Sequence, residues 1–419
     1  MQYPGLILDI LNQRSIKNNR IDKIYKYFYN IEWYKYISNI SNSKSIILDD
    51  NIDIDTLCNT FKYERYYFKD KDSNELIFEM IYQILYTIYK STFTSSLVFN
   101  CATSLYQIKH NSNTTIPSFF ISIDMSNKKT LDCIDDHILL DILKLKIKDG
   151  RFIELIRRLL KYYTHLKDSF IYNQTYSNTP ICINKLYTLL VNIYLSQLDR
   201  YLYYDKKITS FTRYFTQSLI SLTNIFSFKE VLDLKDNIDN FISNKLYLKN
   251  NVSIIIRNST NKKDPISYLN YNILYDNNKL VFLIPHKVFT TYKRKFCKND
   301  KPYQITNRIP LPITTIVSLY QQDIKSITQY YKYCRNQKLL NRLKWYIETS
   351  MLKCISSKYK ITINRLYKKY KSYIDIDKSK YVVFKVSDKV YYGGIPFKHN
   401  KLYKDSIIED NIRLSRYTR

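Results

Sequence analysis

Apolar residues recur at helical spacing early in the chain, in KIYKYFYNIEWYKYI (23–37) and NELIFEMIYQILYTIYK (74–90). Residues 1–115 therefore read as mostly helical. Asn74 is an N-cap candidate with Glu75 in the first turn, and NSKSIILDDNIDID (42–55) reads as a loop. At 118–125 the period changes. SFFISIDM is a short apolar run that reaches an acid, Asp124, and predicts a buried strand. DDHILLDILKLKIKDGRFIELIRRLLKYY (135–163) predicts two helices, parted at Gly150 acting as a C′ glycine. Asp135 and Asp136 fall at the first helix start, where the dipole favours acids. TPICINKLYTLLVNIYLSQLDRYLYY (179–204) predicts a long helix after Pro180. Residues 213–226 and 252–258 predict strands on either side of a helix near 229–246. YLNYNILYDNNKLVFLIPHKV (268–288) predicts a hairpin turning at Asp276, Asn277 and Asn278. Residues 311–371 read as helical, and KYVVFKVSDKVYYGGIPF (380–397) alternates like a closing hairpin. No repeat of 20–50 residues is evident.

Composition adds a partner to this picture. The 419 residues carry 66 Lys+Arg against 37 Asp+Glu, a formal net charge of +29. That excess exceeds what solubility needs and points to a polyanion. Part of it has another source. Gly occurs 4 times, Pro 9 times and Ala once, at Ala102, while Tyr occurs 43 times. Residues with GC-rich codons are depleted and those with AT-rich codons enriched, so the gene reads as strongly AT-biased.

Metal and thiol chemistry find no pattern. Seven Cys (58, 101, 133, 182, 297, 334 and 354) make no C-x-x-C pair, and five His (110, 137, 165, 286 and 399) make no zinc spacing. Neither His165 nor His286 has a recognisable catalytic partner. The start of the chain, MQYPGLILDILNQRS, has neither signal-peptide nor transit-peptide character. LIFEMIYQILYTIY (76–89) is interrupted by Glu79 and Gln83, so no membrane span is expected. No cofactor and no metal site are expected.

The order of elements, a strand ending in Asp, helix pair, long helix, strand–turn–strand, helix and hairpin, is that of a polymerase palm. The residues go further. IDDHILLDILKLKIKDGRFIELIRRLLK (134–161) resembles the segment after the first catalytic Asp of the reverse-transcriptase-like maturases encoded in group II introns. NTPICINKLYTLLVNIYLSQLDRYL (178–202) resembles that family's TPQGG…LLANIYLxxLD block. RYFTQSLI (213–220) falls where RYADDFVI belongs, and SYLNYNI (267–273) where FLGY belongs. Residues 318–370 resemble domain X, the maturase thumb, and are the most specific match. The similarity runs over about residues 60–395.

This resemblance implies an α+β fold: helical fingers-like residues 1–115, a degenerate palm at 116–290, a helical thumb or domain X at 291–375, and a C-terminal hairpin and tail at 376–419. It also marks departures. Two-metal phosphoryl transfer needs several carboxylates around two Mg2+ ions. Asp124 aligns with the first, but Thr216 and Gln217 replace the other two. PQGG has become PICI (180–183), the fingers signature has become VFNCAT (98–103), and the hairpin glycine has become Asn270. Decay of polymerase chemistry on a retained scaffold is the expectation, with Asp124, Thr216 and Gln217 vestigial. The stretch after 375 holds one His and no Cys, so no HNH nuclease tail is expected.

Domain X is where the charge gathers. Residues 321–371 hold thirteen Lys/Arg against two acids, Asp323 and Glu348. Tyr330, Tyr331, Tyr333, Trp345, Tyr346, Tyr359, Tyr367 and Tyr370 are interleaved with them. Cations hold phosphates and aromatic rings stack unpaired bases. The candidate RNA contacts are Arg335, Lys338, Arg342, Lys344, Lys353, Lys358, Lys360, Arg365, Lys368 and Lys369. Tyr330, Cys334 and Lys338 are expected on one helical face.

The implied function is that of a non-catalytic intron maturase: it binds group II or reduced group II-like intron RNA and stabilises its splicing-active fold. Intron RNA is the partner, with other splicing factors as further candidates and no membrane; the sequence implies no oligomeric state. The alternatives are an active RNA-directed DNA polymerase and a structural pseudo-enzyme that binds protein partners. The resemblance to degenerate plastid maturases, with the AT bias, implies an organelle-encoded plastid protein, the mitochondrion being the alternative.

Overall fold

The computed structural model describes residues 3–391 apart from 43–53, 69–70, 94–96, 99–103, 106, 109–116, 127–133, 173–180, 206–207, 223–226, 249–251, 260, 262, 278 and 377–378. PICI at its Pro180, most of VFNCAT, Cys101, Cys133, His110, His399, Asn278 and the end of the 380–397 segment lie outside the described residues. The chain divides into two compact units. One is built from Met1–Val98, Ile123–Ser218 and Phe226–Ile254, the other from Phe99–Ser122, Leu219–Ile225 and Ile255–Arg419.

The first unit is helical. Its helices are α1 (Pro4–Ile16), α2 (Ile31–Asn42), α3 (Ile54–Tyr63), α4 (Lys71–Tyr89), α5 (Asp136–Lys144), α6 (Gly150–Tyr172), α7 (Ile181–Tyr204) and α8 (Phe228–Asn244). A 3-10 turn, Tyr25–Tyr29, precedes α2. Helix α4 packs on α1, α2 and α7. Leu76, Ile77, Phe78, Met80, Ile81, Ile84, Leu85 and Ile88 are all buried, so α4 is apolar on nearly every side, as a central helix must be. Each such side chain stabilises by roughly 1.5–3 kcal/mol relative to exposure.

Tyrosine serves as a core residue, and buried hydroxyls find carbonyls. Tyr34 Oη donates to Phe28 O at 2.9 Å, Tyr89 Oη to Leu143 O at 3.2 Å and Tyr194 Oη to Leu246 O at 2.6 Å. A run of ring contacts, Phe28–Phe61 at 4.9 Å and Phe61–Tyr66 at 4.7 Å, continues through Phe68 to Phe78.

Two expected helix ends differ. Asn74 lies inside α4, fully buried, and accepts from Tyr66 Oη at 2.8 Å. Its amide is consumed by packing, not by a cap. Gly150 is the first residue of α6 and does not end α5. Asp149 supplies the cap, accepting from Arg151 N at 3.0 Å and Phe152 N at 3.2 Å. Asp135 caps α5 through His137 N at 2.7 Å. Ser227 and Glu230 form a capping box on α8.

Strands β1 (Leu97–Val98), β2 (Phe119–Asp124), β3 (Ser210–Tyr214), β4 (Gln217–Leu222) and β5 (Ser253–Asn258) form a sheet in the order β1-β3-β4-β2-β5. The 213–226 segment thus turns at Phe215 and Thr216, with Phe215 left-handed at φ 51.

The second unit contains an antiparallel meander of β6 (Ile266–Tyr268), β7 (Tyr271–Asp276) and β8 (Lys279–Leu283). The expected hairpin gains β6 because Leu269 and Asn270 both adopt positive φ, 49 and 57, the requirement of a two-residue turn. Then come α9 (His286–Phe296), the short hairpin β9 (Cys297–Lys298) and β10 (Lys301–Pro302), α10 (Ile313–Tyr330), α11 (Gln337–Tyr359) and α12 (Ile363–Tyr370). Strands β11 (Lys371–Ile376), β12 (Ser379–Val386) and β13 (Lys389–Tyr391) form an antiparallel sheet that packs on α10 and α12. The helical stretch expected over 311–371 is interrupted at 331–336. Tyr330, Cys334 and Lys338 therefore do not share one helical face. Arg335 N instead donates to Phe282 O at 2.8 Å.

In the first unit the charged side chain of Arg213 is 0% exposed. Its guanidinium grips both oxygens of buried Asp199 at 2.6 Å and Asn192 Oδ1 at 2.9 Å, and donates to Phe215 O. Removing one member of a buried pair strands the other charge. Arg213→Leu is therefore expected to cost about 3–5 kcal/mol in denaturant unfolding, whereas Arg213→Leu with Asp199→Leu should cost distinctly less. Equal losses would show that the pair is not the determinant.

Candidate nucleic-acid interface

Asp124 ends β2, and Gln217 begins β4 just past the Phe215–Thr216 turn. Met125 N donates to Thr216 O at 3.0 Å, which pins the two strand ends together. Gln217 Nε2 donates to Asp124 Oδ2 at 3.2 Å, and Asp124 Oδ1 accepts from Ser126 N at 2.8 Å. The structure thus brings Asp124, Thr216 and Gln217 together. An amide donor, Gln217, and a buried threonine, Thr216, stand beside Asp124, where the resemblance implies two further acids. Gln217 holds Asp124 by hydrogen bonding and offers no negative charge to a cation. Among the described residues no three His, Cys, Asp or Glu side chains cluster as metal ligands would.

The ten basic candidates of the second unit separate into two sets. Lys338, Arg342, Lys360, Arg365, Lys368 and Lys369 are exposed. The first two lie on α11 near its N-terminal end. Lys360 ends α11 in a left-handed conformation, φ 50, as helix-terminating residues commonly do. The last three lie on α12, whose Thr362 cap accepts from Arg365 N at 3.4 Å.

The other four are engaged within the protein. Lys353 Nζ donates to Pro302 O at 2.8 Å. Lys358 Nζ donates to Pro310 O at 3.1 Å and Leu311 O at 2.8 Å, tying the loop before α10 to α11. Arg335 remains exposed, but its guanidinium pairs with Asp276 at 2.6 Å. Lys344 is a correction to the expected surface set: it is 3% exposed. Burial pulls its pKa down to about 8, partly offset by Glu348, whose own carboxyl burial pushes up. An ammonium enclosed in this way is removed from a phosphate's reach.

The aromatic residues divide similarly. Tyr331 and Tyr346 are buried, and Tyr330 stacks on Tyr271 with its Oη donating to Leu269 O at 2.7 Å. Trp345 and Tyr359 stay exposed. Sequence reasoning passed over two cationic features. Arg308 pairs with Asp323 at 2.7 Å and lies 4.4 Å from the Tyr320 ring centroid. Arg294 is exposed on α9 between Lys293 and Lys295. The run KRK at 293–295 was its signal, and it falls before the segment in which charge was counted.

The basic, helix-rich part of the second unit is also where kinship is found. Residues 277–402 match the type II intron maturase family. With it the resemblance to the group II intron maturases holds. Among curated proteins, the chain is 30% identical to the putative COX1/OXI3 intron 2 protein of Saccharomyces cerevisiae over 135 residues, 32% of this chain and 14% of the yeast protein. It is 24% identical to the group II intron-encoded protein LtrA of Lactococcus lactis subsp. cremoris, covering 71% of this chain and 63% of that protein. The chain therefore spans less than two thirds of either relative. Among solved structures, a telomerase from Candida albicans, in complex with a fragment of telomeric RNA, aligns at TM-score 0.33 and 14% identity over 77% of this chain and 58% of that one.

Burial of Lys344 has a pH signature. Its folded-state pKa of about 8 lies below the ordinary lysine value, so between the two the unfolded chain binds more protons. Its unfavourable contribution therefore fades as pH rises through that window. In a Glu348→Gln background, Lys344→Met should stabilise at pH 7, and the advantage should shrink by pH 10, read from guanidinium unfolding at each pH. An advantage that grows with pH would contradict the burial of the ammonium.

Proposed function

We propose that the chain is an RNA-binding maturase of a group II or reduced group II-like intron, which assists splicing without catalysis of its own. The observation that carries this reading is the exposed cation set on α11 and α12, inside the residues that match the maturase family. Cations at such a surface neutralise phosphates where RNA helices come close. The folded intron is then bound more tightly than the unfolded one, and its population rises. The RNA would hold the catalytic metals. In this reading residues 1–115 are fingers-like, 116–290 a degenerate palm, 291–375 the thumb and 376–419 a tail. The AT-biased composition supports an organelle-encoded protein, of the plastid in the first instance and of the mitochondrion in the second. Other splicing factors are further candidate partners.

Absence of polymerase activity rests on Thr216 and Gln217 beside Asp124. A lone carboxylate already engaged by an amide is a poor anchor for two Mg2+ ions. Asp124→Ala is expected to leave intron binding and splicing intact, and the wild-type protein to extend no primer with Mg2+ or Mn2+. A large loss of splicing in the folded variant, or templated extension by the wild type, would favour the RNA-directed DNA polymerase instead.

The interface itself is tested by salt. If six to ten phosphates are neutralised, affinity for intron RNA should fall by roughly 10³–10⁵ between 50 and 200 mM salt, should duplex slopes transfer. Replacing Lys338, Arg342, Arg365 and Lys368 together by Ala should weaken filter binding to a folded intron and lower the salt slope by about one unit per true contact. Replacing Lys353 and Lys358 should act through stability, because their ammonium groups hold carbonyls. A flat salt response in the wild type would point to protein partners.

A further inference from the structure

Trp345 presents a large ring to water from the solvent side of α11, at 54% exposure. Three observations mark it off from an incidental surface apolar residue. First, it has an aromatic neighbour: it stands edge-on to the buried ring of Tyr346, centroids 5.1 Å apart and planes at 65°. Second, its neighbours on the helix are cations. Arg342 lies three residues before it and Lys338 seven before, so all three share one face, and both cations are exposed. Arg342 also lies 6.0 Å from the ring centroid of Tyr346; Lys293, 5.2 Å from the same ring, is paired with Asp300 at 2.8 Å. Third, α11 itself is poor in negative charge. Glu348 is the one acid of α11, and it is coupled to buried Lys344.

An exposed indole among exposed cations is suited to one ligand class. Its face can stack on any unpaired base while the flanking cations hold the backbone, whereas a fully paired duplex buries its base faces and has none to offer. We infer that Trp345 is a stacking platform for an unpaired nucleotide, with Lys338 and Arg342 holding the adjoining phosphates. This rests on the RNA-binding reading above and adds a preference for looped or single-stranded RNA over duplex at this face.

The chain has 2 Trp, and Trp33 is 0% exposed, so a change in tryptophan emission on binding reports Trp345. The probes are a short RNA hairpin with an unpaired loop and a blunt duplex of the same stem sequence, each titrated into the full-length protein. Filter binding is measured in parallel. The hairpin is expected to quench the emission saturably along its binding curve, and the duplex to bind by charge with little quenching. Trp345→Ala should abolish the quench and weaken hairpin binding by about 5- to 150-fold while leaving duplex binding nearly unchanged, and Trp345→Phe should restore part of the loss. An unchanged thermal melt establishes that Trp345→Ala is folded. Hairpin binding without quenching, or an equal loss on hairpin and duplex in Trp345→Ala, would overturn the stacking role and leave RNA binding intact. Failure of the wild type to bind either RNA would defeat the RNA-binding reading and this inference with it.

Discussion

A guanidinium removed from water cannot remain without anions and acceptors, and Arg213 organises its surroundings on that condition. Asp199 and Asn192 reach it from α7, and Phe215 O accepts from it inside the β3–β4 turn. One side chain thus fixes a helix to a strand and fixes the turn on which Thr216 and Gln217 sit. The demand is structural and indifferent to what the turn does. A chain can change the residues after the turn and keep its shape as long as Arg213, Asp199 and Asn192 remain. Support for the turn is thus separate from whatever chemistry the turn does or does not carry.

Charge in the second unit divides along the same line. Lys353 and Lys358 spend their ammonium groups on carbonyls of Pro302, Pro310 and Leu311, so they act as clasps for the segments before α10. Lys344 lies in the core, and Arg335 answers Asp276. Six candidates remain open to a polyanion. A net charge of +29 therefore overstates the charge open to a polyanion, because part of it is internal fastening. The aromatic residues follow the same rule, with Tyr330, Tyr331 and Tyr346 facing inward and Trp345 outward.

How much of this was legible in sequence depends on range. Strand β2, helices α7 and α8 and the β7–β8 hairpin follow from periodicity and turn residues, because those signals are local. The juxtaposition of Asp124 with Gln217 followed from the family's motif order and not from spacing, since 93 residues separate them. Caps were legible where side chain and position agreed, as at Asp135, and misleading at Asn74, where Tyr66 Oη takes the side chain. The burial of Lys344 was not legible: on α11 it lies one residue from exposed Trp345, and only packing around the helix decides which faces inward. The break at 331–336 was hidden because it contains neither Gly nor Pro and the compensating bond, Arg335 N to Phe282 O, comes from a distant strand.

The turns of this protein carry one more consequence. Among the described residues, eleven non-glycine side chains occupy left-handed backbone, including Asn270, Asn277, Asn299 and Lys360. Glycine would fill such positions with least steric conflict. Asparagine tolerates them next best and is spelled with A and T. A glycine-poor composition thus leaves other side chains at these eleven positive-φ positions. Hairpins built this way store a little opposition to their own geometry, and the aromatic core beneath them must outweigh it. Glycine at these positions would relax the bends, so the core could lose a little packing before the fold did.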